Sequence, residues 1–153
     1  MRRKDKEFTD KAVIEDILNR AELVRIAMVD GQEPYVVTMN YAYKDNALFL
    51  HCALEGRKMD ILKRNNRVAF TVDTDVSLRL DEKACDSTIC YRSVFGTGYA
   101  SLVEDPDQKA RALDWIMDKH GGQGGYAYPA QVLARTAVLR IDIDYLSGKK
   151  SGY

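Results

Sequence analysis

Four consecutive residues, Glu55-Gly56-Arg57-Lys58, stand between a β-like run, "ALFLH", and a short run with helical spacing, "KMDILKRNN". In the second run Met59 and Leu62 lie three apart with Ile61 beside them, so the basic pair sits where a helix begins. The first amide N–H groups of a helix have no partner inside it, and the helix dipole adds partial positive charge at that end. An anion is favoured there before any side chain is counted. Gly56 lets backbone approach a ligand, Arg57 offers a planar fork of donors and Lys58 a movable charge, a set suited to a phosphate monoester. Spacing alone leaves a competing reading, a solvated turn, because a basic pair at a helix start is common. The glycine spacing and lysine-serine/threonine pair of a nucleoside-triphosphatase loop are missing.

His51 and Cys52 end the preceding strand and face opposite sides by alternation, which assigns Cys52 to the core and His51 to a cleft. An imidazole with its ordinary pKa near neutrality can give a proton to a reduced substrate, and it can equally hold a hydrogen bond to a ligand or to backbone. A metal at His51 would need Cys85, Cys90 or His120, and no two-residue cysteine spacing supports zinc, so no metal is assigned. Cys85 and Cys90 read as packing residues or free thiols. Trp115 falls beside the buried stripe of its helix, which makes a partly buried surface aromatic the default reading, with cover of a cleft or a subunit contact as the alternatives. Glu55 is expected to pair with Arg57 or Lys58.

The elements that must position these residues follow from periodicity. Thr9 or Asp10 caps a helix with Val13, Ile14, Ile17, Leu18 and Ala21 on one face. "LVRIAMVD" reads as a strand, Asp30-Gly31 as a turn, and "PYVVTMNYAY" as one further strand with Tyr35, Val37, Met39, Tyr41 and Tyr43 on one face. "KDN" turns into "ALFLH", "RVAFTVDTDVSL" is β-like, and "ICYRSVFGTGYASLVE" is the longest strand signal. Within it Gly96 and Gly98 share a face, which marks a bend or the close approach of another backbone or a flat ligand. Asp105-Pro106 opens a helix with Ala110, Leu113, Ile116 and Met117 on its buried side, "GGQGG" is a loop, Pro129 starts a short helical turn, and "TAVLRIDIDYL" is the last strand. The tail "SGKKSGY" has no apolar pattern. About six strands with short antiparallel-type turns give an α+β class, a small barrel with helices packed outside.

At 153 residues the chain reads as a single domain, 1–153. Lysine plus arginine and aspartate plus glutamate number 23 each, so no global positive field points to nucleic acid or an anionic membrane, and any anion site must be local. No apolar run approaches the roughly 20 residues of a membrane span, and "MRRKDKEFTD" lacks the apolar core of a signal peptide. Three sparse cysteines agree with a reducing compartment, and a cytoplasmic location is expected.

"LFLHCALEGRKMDILKRNNRVAF" resembles the flavin-binding core of the pyridoxamine 5'-phosphate oxidase superfamily. "MRRKDKEFTD", "PYVVTMNYAY", "HCALEGRK" and "CYRSVFGTGYASLVED", in that order, resemble the Nim-type, nitroimidazole-resistance-related branch across nearly the whole chain. The resemblance implies a mostly antiparallel split β-barrel with flanking helices, and a homodimer with FMN, in preference to FAD, in clefts at its interface. Carried over by position, Val37, Thr38, Met39, Asn40 and Tyr41 border the flavin ring, with Thr38 and Asn40 able to meet its polar edge. His51 stands near the ring, and Gly56, Arg57 and Lys58 bind the phosphate. Arg92 and Ser93 belong to a segment near the dimer cleft that reaches cofactor held mainly by the other subunit.

The activity implied is FMN-dependent reduction of a small organic acceptor, a nitro compound among the candidates, with NAD(P)H or another donor. His51 is the candidate catalytic residue. A flavin-binding or redox-sensing module without turnover, or a haem or deazaflavin binder on the same barrel, is the alternative, since one fold hosts many functions. The arginine-rich C-terminal segment of pyridoxamine 5'-phosphate oxidases proper is missing, so vitamin B6 oxidation is not assigned. Thr38 stands where Nim-type relatives often carry proline, which adds a hydroxyl and a backbone donor.

Overall fold

The computed structural model describes residues 3–153; Met1 and Arg2, the start of the N-terminal motif above, lie outside the described residues. Asp10, not Thr9, caps helix α1 (Lys11–Arg20), its carboxylate accepting from the amides of Ala12 and Val13. The helix buries Ile14, Ile17 and Leu18 and leaves Val13 41% exposed, so the buried stripe is narrower than the spacing predicts. Strands β2 (Leu23–Asp30) and β3 (Glu33–Asn40) form a hairpin, preceded by the short β1 (Glu7–Phe8). Next come β4 (Ala42–Lys44) and β5 (Ala47–Ala53), joined through Asp45 and Asn46 at φ 50° and 59°, the left-handed pair of a tight hairpin turn.

Helix α2 (Arg57–Arg64) leads to the long strands β6 (Arg67–Arg79) and β7 (Thr88–Leu102). Helix α3 (Pro106–Lys119) is capped by Asp105, which accepts from the Gln108 amide, and Pro106 occupies its first turn. After the glycine-rich loop come α4 (Ala130–Arg135) and β8 (Thr136–Ser151).

The sheet is antiparallel throughout and runs β3-β2-β6-β7-β8-β5-β4, with β1 paired to β8. The fold is thus α+β, an antiparallel split barrel. Its two edges, β3 and β4, are neighbours in sequence and are separated by Tyr41 alone. Tyr41 is fully buried and its hydroxyl donates to the Leu18 carbonyl at 2.6 Å, so the chain is pinned to α1 where it leaves one edge for the other. The stretch "PYVVTMNYAY" is therefore two strands on opposite edges instead of one.

Eight strands form among the described residues where about six are expected, because β4 separates from β3 and because Glu7–Phe8 pairs with Lys149 and Gly148. The tail, whose sequence has no apolar pattern, is strand through Ser151: Ser147 to Ser151 continue β8 in register with Phe95 to Tyr91. Backbone hydrogen bonds recruit that segment without any apolar alternation of its own.

The main core lies inside the barrel, from Val24, Ile26 and Met28 of β2 to Val68, Phe70 and Val72 of β6 and Leu139 and Ile141 of β8. A smaller core outside it packs Phe49 and Val138 against Ala112 and Leu113 of α3. Gly96 and Gly98 face inward. A side chain at Gly96 would overlap the Phe70 ring, and one at Gly98 would overlap the Asp142 carbonyl beside the register shift between β7 and β8. Of the readings left open, Gly98 answers to a close backbone approach.

Candidate functional site

Three elements meet around the Glu55–Lys58 turn: the end of β5, the start of α2 and the inner side of edge strand β3. Gly56 is the N-cap of α2 at φ 118°, a conformation that side-chain-bearing residues rarely adopt, and nothing lies within 4 Å of where its Cβ would be. No side chain among the described residues caps the helix, so the first amides of α2 have no side-chain acceptor.

The two cations leave this turn in different directions. Arg57 turns to Asp30, donating from Nε at 2.9 Å, and stacks its guanidinium 4.8 Å from the centre of the Tyr35 ring. Arg64, two turns along α2, reaches the other oxygen of Asp30 at 2.5 Å. Asp30, which reads in sequence only as part of a turn, is thus the carboxylate that ties α2 to the end of β2. Glu55 pairs with neither Arg57 nor Lys58 among the described residues, contrary to expectation.

Lys58 points the other way, along β3. Its ammonium donates to the Met39 sulfur at 3.2 Å and approaches Cys52, with no carboxylate within ion-pair distance among the described residues. Cys52 packs against the barrel core and its sulfur lies 3.7 Å from that of Met59. Burial pushes the Cys52 thiol up in pKa, and the charge and hydrogen bond of Lys58 pull against that shift.

His51 lies on the opposite face of β5 from Cys52, paired across the ladder with Val138. Burial first, and then the Lys58 charge, hold its pKa below the ordinary value, so neutral imidazole dominates at neutral pH. Nδ1 is buried with no hydrogen-bond partner among the described residues. An orphaned buried nitrogen is costly and calls for a partner the polypeptide does not supply.

On β3, Val37 and Met39 turn toward the barrel, while Thr38 is exposed on the outer side. Asn40 is half-buried and sits opposite Leu23, at the far end of the hairpin. The Tyr41 side chain is committed to the core, which leaves only its backbone for a ligand.

Arg92 and Ser93 are not brought to this turn within one chain. Arg92 donates to Asp75 at 2.8 Å beside Arg20, and its guanidinium stacks 4.4 Å over the Tyr153 ring. These two arginines hold the Asp75 carboxyl well below the usual range. Arg20 precedes β2 while Asp30 ends it, so the two clusters stand on the order of 20 Å apart along that strand. Ser93 pairs with Asp73 and Lys149 near the Asp75 end.

The family model for pyridoxamine 5'-phosphate oxidase matches residues 10–150. A candidate 5-nitroimidazole antibiotic resistance protein from Bacteroides thetaiotaomicron is 30% identical with a TM-score of 0.84, covering 94% of this chain and 86% of its own. A flavocytochrome from Azotobacter vinelandii, 22% identical, superposes with a TM-score of 0.87 over 100% of this chain and 72% of its own. An FAD and heme binding protein from Mycobacterium smegmatis, also 22% identical, gives 0.86 over 97% and 74%. No curated protein matches the chain. The chain belongs to the pyridoxamine 5'-phosphate oxidase family, on its flavin-binding split-barrel fold and in the Nim-type branch.

Proposed function

We propose that this protein is a flavin-dependent oxidoreductase that holds FMN in a cleft between two copies of the chain and reduces a small organic acceptor, a nitro compound among the candidates. The observation that carries the reading is Lys58, a half-buried cation without a carboxylate partner among the described residues, next to the open N-terminus of α2. That pair of features suits a phosphate monoester, which favours FMN over FAD.

The residues fit such a group. Gly56 would let the α2 amides reach the phosphate, Lys58 would neutralise it, and Arg57 would add donors from its place on Asp30. The exposed side of β3 at Thr38, with Asn40, offers polar atoms to the edge of a flat ring. His51 is close enough to Lys58 to feel its charge, and its unpartnered nitrogen would accept or pass a proton at the reacting end. When bound, FMN supplies the electron transfer, and the polypeptide supplies placement and electrostatics.

A second copy is part of the reading, because Arg92 and Ser93 lie away from the turn and would serve the cleft of the partner. The outer face of β7 and β8 supports it: Phe95, Tyr99 and Tyr145 are 43%, 51% and 52% exposed there, with Phe95 and Tyr145 in edge contact.

The test is the visible spectrum of the purified protein, followed by mass identification of whatever is released on denaturation. FMN near one per chain is the expected result. A colourless protein that takes up no FMN, FAD, deazaflavin or haem overturns it, and an intense haem band would replace FMN by haem. Turnover is tested by NADPH oxidation with a nitro acceptor. Flavin that no nicotinamide reduces and no acceptor reoxidises would leave a flavin-binding module in place of an enzyme.

A further inference from the structure

A cleft separate from the Lys58 turn lies between α3 and the outer face of β5 and β8. Its floor is apolar: Phe49 and Val103 are 7% and 8% exposed, and Trp115 meets Phe49 edge to face at 4.8 Å between ring centres. Its rim is polar and cationic, made by Gln108 and Arg111 of α3 and Arg140 of β8. Arg140 spends its Nε and one terminal nitrogen on Asp142, and its guanidinium lies 5.8 Å from the Phe49 ring centre. Arg111 has no ion-pair or hydrogen-bond partner among the described residues. The cleft holds about 230 Å³, room for one substituted aromatic ring.

We infer that this cleft is a second binding site, for a small planar aromatic carboxylate. The ring would lie on Phe49, Val103 and Trp115, and the carboxylate would meet the open fork of Arg111 with the free edge of Arg140 beside it. Charge decides the class: the apolar floor accepts any flat ring, while two guanidiniums balanced by one carboxylate leave net positive charge at the rim. A neutral ring of the same shape would gain the floor and lose the rim.

Trp115 is the only tryptophan in the chain, so its indole N–H gives a single cross-peak in a ¹H–¹⁵N spectrum. The experiment titrates the intact protein, with whatever cofactor it retains, with benzoate and separately with benzamide through the millimolar range. Benzoate is expected to shift the indole peak saturably, and benzamide at equal concentration to shift it at least tenfold less readily. Arg111→Gln, a change on an exposed helix surface, is expected to weaken benzoate binding about tenfold while the rest of the spectrum stays folded. An unmoved indole peak, equal shifts by the two compounds, or unchanged benzoate binding in the Arg111→Gln protein would each overturn the inference. None of these readouts depends on flavin retention, so the outcome is independent of the Lys58 site.

Discussion

The Lys58 ammonium lies 3.2 Å from the Met39 sulfur, joining the first turn of α2 to the edge strand β3. A thioether is a weak acceptor and no substitute for an anion, so the cation remains available to a phosphate. Replacing Lys58 by alanine should weaken FMN binding by about 1–3 kcal/mol, roughly 5- to 150-fold. Fluorescence titration of cofactor-free protein with FMN measures this directly. Arg57→Ala should act in the same direction by less, because its guanidinium already spends a donor on Asp30. Full flavin retention in both variants would remove the phosphate from this turn.

Asp30 carries the opposite expectation. It anchors Arg57 and Arg64 but would repel a bound phosphate, so Asp30→Asn should cost on the order of 1 kcal/mol or less in stability, as partly exposed pairs do. FMN affinity should hold or rise. Paired urea denaturation and FMN titration separate the two effects, and a large loss of affinity would mean that Arg57 must be positioned by Asp30 to bind.

Lys119 should make stability depend on pH. Its ammonium donates to the Leu18 carbonyl at 2.9 Å and rests 3.3 Å from the centre of the Tyr41 ring, yet burial lowers its pKa from 10.5 to about 7. The unfolded chain then binds the proton more tightly than the folded one between those values, so stability should rise with pH from about 7 upward. Urea midpoints from pH 6 to 9 should show that rise in the wild type and a flatter profile in Lys119→Met. An identical slope in both would assign the dependence to another group.

Gly98→Ala should destabilise more than Gly96→Ala. At Gly98 the added methyl meets the Asp142 carbonyl, which the β7–β8 ladder holds in place, whereas at Gly96 it meets the far end of the Phe70 ring. A cost of about 1–3 kcal/mol is expected at Gly98, read from the thermal or urea midpoint. Equal effects at both sites would mean that the ladder yields as readily as a side chain.

Light scattering should give a mass near twice 17.3 kDa for the flavin-loaded protein. Tyr145→Glu, which places a charge on the exposed aromatic face, should shift the population toward monomer and lower flavin retention together. A monomer that keeps its flavin would confine the site to one chain.

Much of this molecule is legible in local chemistry. Asp10 and Asp105 cap helices, "LVRIAMVD" is the strand its alternation predicts, and the "EGRK" turn opens a helix at Gly56, because each depends on neighbours within a turn or two. Cys52 inside and His51 outside follow from strand alternation alone. The family resemblance was likewise carried by motifs in order along the chain.

Tertiary structure decided what distant partners control. The break at Tyr41 arises because the Leu18 carbonyl, 23 residues away, captures its hydroxyl, and no local preference announces it. Residues 147–151 become strand because β7 offers unpaired backbone, a recruitment that needs no side-chain pattern. Asp30 becomes the partner of Arg57, and Arg92 turns to Asp75 away from the phosphate turn, because ion pairs form between whatever charges the folded sheet brings together. Spacing in sequence measures distance along the chain, and these contacts are set by distance across the sheet.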